Sequence, residues 1–504
     1  MSNRYSELWK GQNWKKLRQN LFRLQKRVYK AVQAGDLRKA RSLQKLILKS
    51  RSAQLLAIRQ VTQLNQGKKT AGVDGKKSLT HRRRFDLLEE LNHFVFLWKH
   101  SGLREIPIPK KNGKVRILKV PTITDRAWQC LAKFALEPAH EATFHARSYG
   151  FRTGRSAHDA QKQVFNNLNS KANGINKKVI ELDIKKCFDR ISHKSIMDRL
   201  IAPASLKTGI FRCLKAGVDL EFPEQGTPQG GVVSPLLANI ALNGIEDIHP
   251  SVRYADDMVV FLKPKDNAEL ILSKISLFLA ERGMEISEEK TKVTHSTDGF
   301  DFLGWNFRVQ KNGKLRSFPS AENFKEFQKK VKAVANSSNY GARVKAKKLA
   351  PIVRGWRNYH RYCKMDGSRH SLWFMNKEVN RRFRKEKKIN KHEAVRLVEK
   401  AFPEVGYKQH GFTMVAGTKS PYDGNLVYWS KRNSALYKDA TADALKKQHH
   451  SCGHCGLKFI DEEKVHLHHI DENHDNWKKN NLMTVHQSCH QLIHGSKPKG
   501  KPKG

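Results

Sequence analysis

Residues 252–261 read VRYADDMVVF, an apolar run broken by two adjacent carboxylates, Asp256 and Asp257. The pattern predicts two short arms of a buried hairpin with the acids at the bend. An unpaired buried carboxylate is costly, and two neighbours repel each other. The segment can therefore fold only where positive charge meets the pair. Positive charge is plentiful, since the 504 residues hold 96 Lys and Arg against 47 Asp and Glu, a formal net charge of +49. An excess of this size points to a polyanionic partner. The opening MSNRYSELWKGQNWKK has no signal core, and no apolar run reaches spanning length, so a membrane partner is not expected.

A second strand-like run, KKVIELDIKKCFDRISH (177–193), leads through Val179, Ile180 and Leu182 into Asp183. Two strands that bring carboxylates to one end of a sheet can hold two divalent cations. Such a pair stabilises the entering and leaving oxygens of an in-line phosphoryl displacement, and magnesium suits the role. REIPIPKKNGKVRILKVP (104–121) predicts a hairpin around Asn112-Gly113. Residues 1–65 read as basic amphipathic helices with a turn at Gly35-Asp36. In IVRGWRNYHRY (352–362), helical spacing places Trp356 and Tyr359 on one face and Arg354, Arg357 and Arg361 on another. The aromatics are expected in a core and the arginines against RNA phosphate.

Three of the seven cysteines crowd between 452 and 489. Cys452-x-x-Cys455 and His486-x-x-Cys489 have the spacing of a tetrahedral structural zinc site. A zinc ion would explain how a segment with few apolar residues folds. His490 and His494 are four apart, hence on one helical face.

Eight stretches occur in a telling order: RQVTQLNQGKKTAGVDG, IPIPKKNGKVRILKVPTITDRAWQ, SYGFRTGRSAHDA, ELDIKKCFDRISH, QGTPQGGVVSPLLANI, RYADDMVVF, EEKTKV and FLGW. Together they resemble the reverse transcriptase of proteins encoded by mobile group II introns, of the bacterial or chloroplast-like kind. The resemblance implies an α+β multidomain chain. It would comprise a basic helical extension (1–65), fingers and palm (66–315) and a helical thumb or maturase domain (316–425). A DNA-binding linker (426–448), an HNH module (449–495) and a basic tail (496–504) would follow. It implies that Asp183, Asp256 and Asp257 hold magnesium, with the carbonyl of Ile184 as an extra ligand. Phe188 would lie beneath the incoming sugar and select deoxynucleotides. Lys110, or its competitor Lys114, and Arg116 would hold the triphosphate, Gln229 would lie at the template–nucleotide pair, and Lys290 would meet the leaving pyrophosphate. Phe302-Leu303-Gly304-Trp305 resembles the turn that grips the primer end, and packing alone accounts for its aromatics equally well.

The segment 449–495 resembles an HNH endonuclease with a ββα-metal fold. That likeness implies a divalent ion, magnesium or manganese, on His468, His490 and His494. His469 would activate water, and Asn481, or Asn480, would orient it. The competing reading is a zinc knuckle that binds nucleic acid without cutting. The whole predicts a protein that binds group II intron RNA, assists its splicing, nicks a double-stranded DNA target and copies the intron from dNTPs. Its location would be bacterial cytoplasm or an organelle. The rival readings are a splicing-only maturase and a retron or defence-type reverse transcriptase.

Overall fold

Apolar residues at three- and four-residue spacing make Trp14–Gln33 and Leu37–Lys49 amphipathic helices. Gly35, at φ 76°, turns the chain between them, and the Asp36 carboxylate caps the second through the Lys39 N–H at 2.9 Å. Their buried faces, with Leu21, Val28, Leu43 and Ile47, join one core with Leu131 and Leu136 of the helix Ile123–Glu141. Gln44 clamps this junction by donating to the carbonyls of Ala135 and Ile201 at 3.2 and 2.7 Å. The N-terminal helices are thus built into the fingers and palm. The computed structural model describes residues 2–109, 113, 115–217, 223–365, 368–386, 389–435, 437, 439–459 and 465–495. Lys110, Lys114 and the tail expected at 496–504 lie outside the described residues.

Four antiparallel sheets occur among the described residues. β1 (Arg104–Pro109) and β2 (Val115–Val120) form the expected hairpin, with Ile106 opposite Leu118. The central sheet joins β3 (Lys178–Leu182), β4 (Ser251–Tyr254), β5 (Asp257–Leu262) and β6 (Lys292–His295) in the order β4-β5-β3-β6. β7 (Phe300–Phe302), β8 (Trp305–Val309) and β9 (Leu315–Pro319) form a third sheet. β10 (Val465–His469) pairs with β11 (Leu482–His486), followed by the helix Gln487–Gly495.

The near-continuous apolar run of β5 has a physical cause. Its side chains alternate between two cores: Met258, Val260 and Leu262 pack with the N-terminal helices, and Val259 and Phe261 pack with the thumb. The thumb core gathers Phe324, Phe327 and Trp356 around the helices Ala321–Asn336 and Ala342–Tyr359. Trp356 stacks on Phe327 at 4.4 Å, and Tyr359 stacks on Trp305 at 4.6 Å. The Tyr359 hydroxyl donates to the Leu303 carbonyl at 2.8 Å, so the Phe302–Trp305 turn is tied to the thumb.

The expected arginine face requires correction. Arg354 is exposed, but Arg357 is buried and donates to the carbonyls of Phe402 and Pro403 at 3.0 and 2.8 Å. Arg361 lies beyond the helix end at Tyr359 and is half-buried. Arg357 faces inward because the return of the chain after the helix Lys391–Ala401 presents carbonyls that need a donor. Arg357→Ala is accordingly expected to lower stability by about 2–3 kcal/mol, read as a fall in denaturation midpoint, since it orphans buried carbonyls.

The segment after the thumb returns to the palm. Trp429, fully buried, closes on Gly154, where an added Cβ would lie 2.7 Å from the indole. Arg432 makes a two-pronged bond with buried Asp159 at 2.8 and 2.9 Å. Asp159 also accepts from the Val415 N–H at 2.7 Å, so one carboxylate joins palm, thumb and linker.

Candidate functional site

β4 and β5 are connected by the two residues Ala255 and Asp256, with Tyr254 opposite Asp257 and Ala255 at φ 60°. The acids therefore stand at the hairpin tip, as expected. β3 pairs antiparallel with β5, Leu182 opposite Met258, so the next position in register brings Asp183 beside Asp257. Burial raises the pKa of both hairpin acids. Asp257, although exposed at its tip, is pushed up to about 6, first by loss of solvent and then by Asp256 and Asp183. Asp256 rises for the same first reason and is held down by Arg116 and Arg253. The cluster thus carries more negative charge than the protein around it neutralises.

Lys290, in a turn before β6, reaches Asp183 at 3.0 Å. Ser287 N–H donates to the Asp183 carbonyl and Lys185 N–H to the Glu285 carbonyl; neither bond uses the carbonyl of Ile184. Across the cleft, exposed Arg116 of β2 acts electrostatically on Asp256. The fingers meet the palm where the Lys119 N–H donates to the Gln229 carbonyl at 3.1 Å. Gly230, at φ 136°, allows this approach, because a Cβ there would stand 2.9 Å from the Lys119 carbonyl. The Gln229 side chain donates to Asp189 at 2.9 Å, and half-buried Phe188 accepts at its carbonyl from the Thr227 N–H at 2.7 Å. Phe188 and Gln229 thus share one hollow with Ile117 and Lys119 of β2, the strand whose Arg116 acts on Asp256.

The tip has a support that motif reading did not single out. Arg253, fully buried, donates to Glu246 at 2.6 Å, Asn239 at 2.9 Å and the Ala255 carbonyl at 3.0 Å. The Tyr149 N–H donates to the Arg253 carbonyl at 2.9 Å, and Asn239 holds the Gly150 carbonyl at 2.8 Å. The only signal in the sequence is an arginine inside an apolar strand, Val252-Arg253-Tyr254, where a charge demands a buried partner. A Cβ on Gly150 would stand 2.4 Å from the Ala255 nitrogen. Gly150→Ala is expected to shift the tip, cost about 1–3 kcal/mol and lower primer extension at least tenfold, checked by melting and extension assays.

The C-terminal module holds two further clusters. The ligand atoms of Cys452, Cys455, His486 and Cys489 lie within 4.8 Å of one another, all four residues buried. The backbone N–H groups of Cys455 and His486 reach the Cys452 sulfur at 3.5 and 3.4 Å, and Cys455 and Cys489 drive its thiol well below the usual range. A tetrahedral ion fits such a set. His468, His490 and His494 also have ligand atoms within 4.8 Å. Burial and its histidine neighbours push His490 down to about 4, which favours the neutral, ligating form. His469, next along β10, packs edge-on against Trp477 and His474, and its buried Nε2 has no hydrogen-bond partner among the described residues. Asn481 binds the loop: its amide donates to Asp471 and to the Asn476 carbonyl at 2.8 and 2.9 Å, and its carbonyl accepts from the Ile470 N–H at 2.9 Å. Its link to His469 therefore runs through the backbone. His466 lies 5.1 Å from the His490 ring.

Carboxylates at the end of an antiparallel sheet, faced by a basic hairpin and followed by a helical thumb, define a polymerase of the right-hand class. Residues 108–307 match the family described as reverse transcriptase (RNA-dependent DNA polymerase). Residues 9–91 match the N-terminal domain of reverse transcriptase, and 324–397 the group II intron maturase-specific domain. Maturase-like protein 1 of Euglena gracilis is 36% identical over 451 residues, covering 89% of this chain and 96% of that one. Its counterpart in Euglena longa is 36% identical over 392 residues, 77% of this chain and 86% of that one. Group II intron-encoded protein LtrA of Lactococcus lactis subsp. cremoris is 27% identical over 332 residues, 50% of this chain and 54% of that one. The chain belongs to the group II intron-encoded proteins that join a reverse transcriptase to a maturase domain. Its function is that of an intron maturase and RNA-directed DNA polymerase, which implies divalent metal, intron RNA and nucleotide substrates. Among the described residues no helix is long and apolar enough to cross a membrane.

Proposed function

We propose that one chain carries three activities: RNA-templated DNA synthesis, assistance to splicing of its own intron RNA, and nicking of a double-stranded DNA target whose new 3′ end primes the copy. Asp183, Asp256 and Asp257 are the magnesium ligands, with the Ile184 carbonyl beside them; their excess negative charge, expressed in the raised Asp257 pKa, suits divalent cations. When bound, two such ions stabilise the attacking and leaving oxygens of nucleotide addition. Lys290, bonded to Asp183 at 3.0 Å, would be free to meet the leaving pyrophosphate once a bound cation offset the Asp183 charge. Arg116, with Lys110 or Lys114, holds the triphosphate. Phe188 walls off the 2′ position of the sugar, and Gln229 fixes the floor beneath the template pair. Arg354 and Arg361 remain the thumb arginines available to RNA phosphate.

The nuclease reading rests on one observation above all. The ligand atoms of His468, His490 and His494 converge within 4.8 Å on a strand–strand–helix unit, while His469, the next residue on the strand, keeps a buried Nε2 with no acceptor or donor among the described residues. Three imidazoles suit a divalent ion, which would polarise the scissile phosphate, and His469 would take the proton of the attacking water. Cys452, Cys455, His486 and Cys489 suit structural zinc. The test is purification with the flanking intron RNA, followed by splicing, nicking and primer-extension assays on one preparation. All three activities are expected. Extension without nicking would leave the C-terminal unit as a zinc knuckle that binds nucleic acid. Splicing alone would reduce the protein to a maturase.

A further inference from the structure

The stretch SYGFRTGRSAHDA (148–160) lies against the acidic tip without adding a carboxylate to it. Residues 147–149 run parallel to β4 along its outer edge. The Arg253 N–H donates to the Arg147 carbonyl at 3.0 Å, and the Tyr149 N–H to the Arg253 carbonyl at 2.9 Å. Gly150 then presses on Ala255 at the tip, and Phe151 follows. Phe151 is held in the left-handed region, at φ 57°, which costs any residue but glycine conformational free energy. Its side chain is 48% exposed and stays outside the cores on either side of the sheet.

The neighbours of Phe151 impose this conformation. Asn239 holds the Gly150 carbonyl at 2.8 Å. Fully buried Arg152 makes a two-pronged bond with Glu141 at 3.0 and 2.9 Å. It also donates to the carbonyls of His145 and Ser148 at 2.7 and 2.8 Å. Strain kept up by its surroundings in this way gathers at functional sites. Glycine would adopt the same backbone without steric cost. Neither conformation nor burial therefore accounts for an aromatic residue here, which leaves contact with a partner outside the chain. Position says which partner. In the order β4-β5-β3-β6, the acids occupy the tip of β4 and β5 and the end of β3. Lys290 precedes β6, and β7, which leads into the Phe302–Trp305 turn expected to grip the primer, packs against β3. Primer end and leaving phosphates thus belong to the β3–β6 side. Phe151 stands beyond β4, where the strand paired with the primer must run.

We propose that the Phe151 ring packs on the RNA template strand beside the new base pair. This rests on the magnesium site proposed at Asp183, Asp256 and Asp257, which fixes where the primer ends. An aromatic face suits every base, as copying requires, because each base has a π-face. In the test, p-benzoylphenylalanine replaces Phe151 in the full chain, and an RNA template annealed to a DNA primer is offered with each strand labelled in turn. A crosslink to the template is expected. A crosslink to the primer alone, or to neither strand, overturns the proposal. Phe151→Gly frees the backbone and removes the ring. It should weaken binding of the primer–template, and raise its KM, about tenfold. The KM for dNTP should stay unchanged, and the melting midpoint should hold or rise. Phe151→Tyr, which keeps the ring, should restore native binding. Native binding by Phe151→Gly, a fall in its midpoint, or an equal loss in Phe151→Tyr overturns the proposal. Binding and crosslinking need no nucleotide addition, so the two readings fail separately. Native extension by Asp256→Asn refutes the metal site and leaves a template crosslink standing, whereas lost extension in that variant with no crosslink at position 151 refutes the Phe151 contact alone.

Discussion

On the proposed reading, Asp256→Asn is expected to abolish primer extension on an RNA template, by about a thousandfold or more, and to leave DNA nicking at its native rate. The substitution keeps the shape of the side chain and removes one charge from the proposed metal-binding set. A loss of about 4 kcal/mol of transition-state stabilisation corresponds to that factor. The fold does not suffer. Burial and Asp183 raise the Asp256 pKa, so its charge costs the folded protein stability that an uncharged side chain would not. Removing the charge relieves repulsion with Asp257, and the melting midpoint measured without divalent metal should hold or rise. Dead but stable is therefore the expected phenotype. A variant that extends normally would remove Asp256 from the metal set. One that loses extension and nicking together would show that the two centres do not act separately.

On the proposed reading, Cys489→Ser is expected to give the complementary loss: nicking disappears, one zinc per chain is missing by elemental analysis, and extension continues. The small core of the C-terminal module comprises Leu445, Cys452, Cys455, Phe459, Val465, Val485 and Cys489. Three of its members are the cysteines themselves, so little apolar surface remains once the ion is gone. Structural zinc contributes on the order of 10–16 kcal/mol in small modules, far more than this core can replace. The effect should reach the nuclease centre because Cys489 and His490 are neighbours on one helix. His469→Ala is the control: it should stop nicking while keeping the zinc. Retention of full nicking by Cys489→Ser would mean that the module folds without the ion.

The polymerase was legible because its chemistry is local in sequence. Asp256-Asp257 in an apolar hairpin, Asp183 at the end of a second strand and the Lys- and Arg-rich finger hairpin each carry their meaning within a few residues, and the register of β3 on β5 brings the acids together. The same holds for Cys-x-x-Cys, His-x-x-Cys and the paired histidines, whose spacing alone fixes which side chains share a face. Helical spacing also predicted the inward Trp356 and Tyr359 correctly.

Spacing failed where burial depends on distant chain. Arg354, Arg357 and Arg361 look equivalent along a helix, yet the carbonyls of Phe402 and Pro403, 45 and 46 residues away, draw Arg357 into the interior. Gln229 reads as a residue beside substrate, but its carbonyl also joins the palm to β2 of the fingers.

By itself, then, the order of residues determined which chemistries the chain can perform, since metal ligands must be carboxylates, thiolates or imidazoles at short, fixed separations. Tertiary structure alone decided what supports them. The Arg253–Glu246 pair behind the acidic tip, Asp159 joining three regions, and Gly150 seated against Ala255 all arise from segments far apart in sequence. Their partners are chosen by packing and by the need to satisfy every buried charge, and no local pattern encodes that choice.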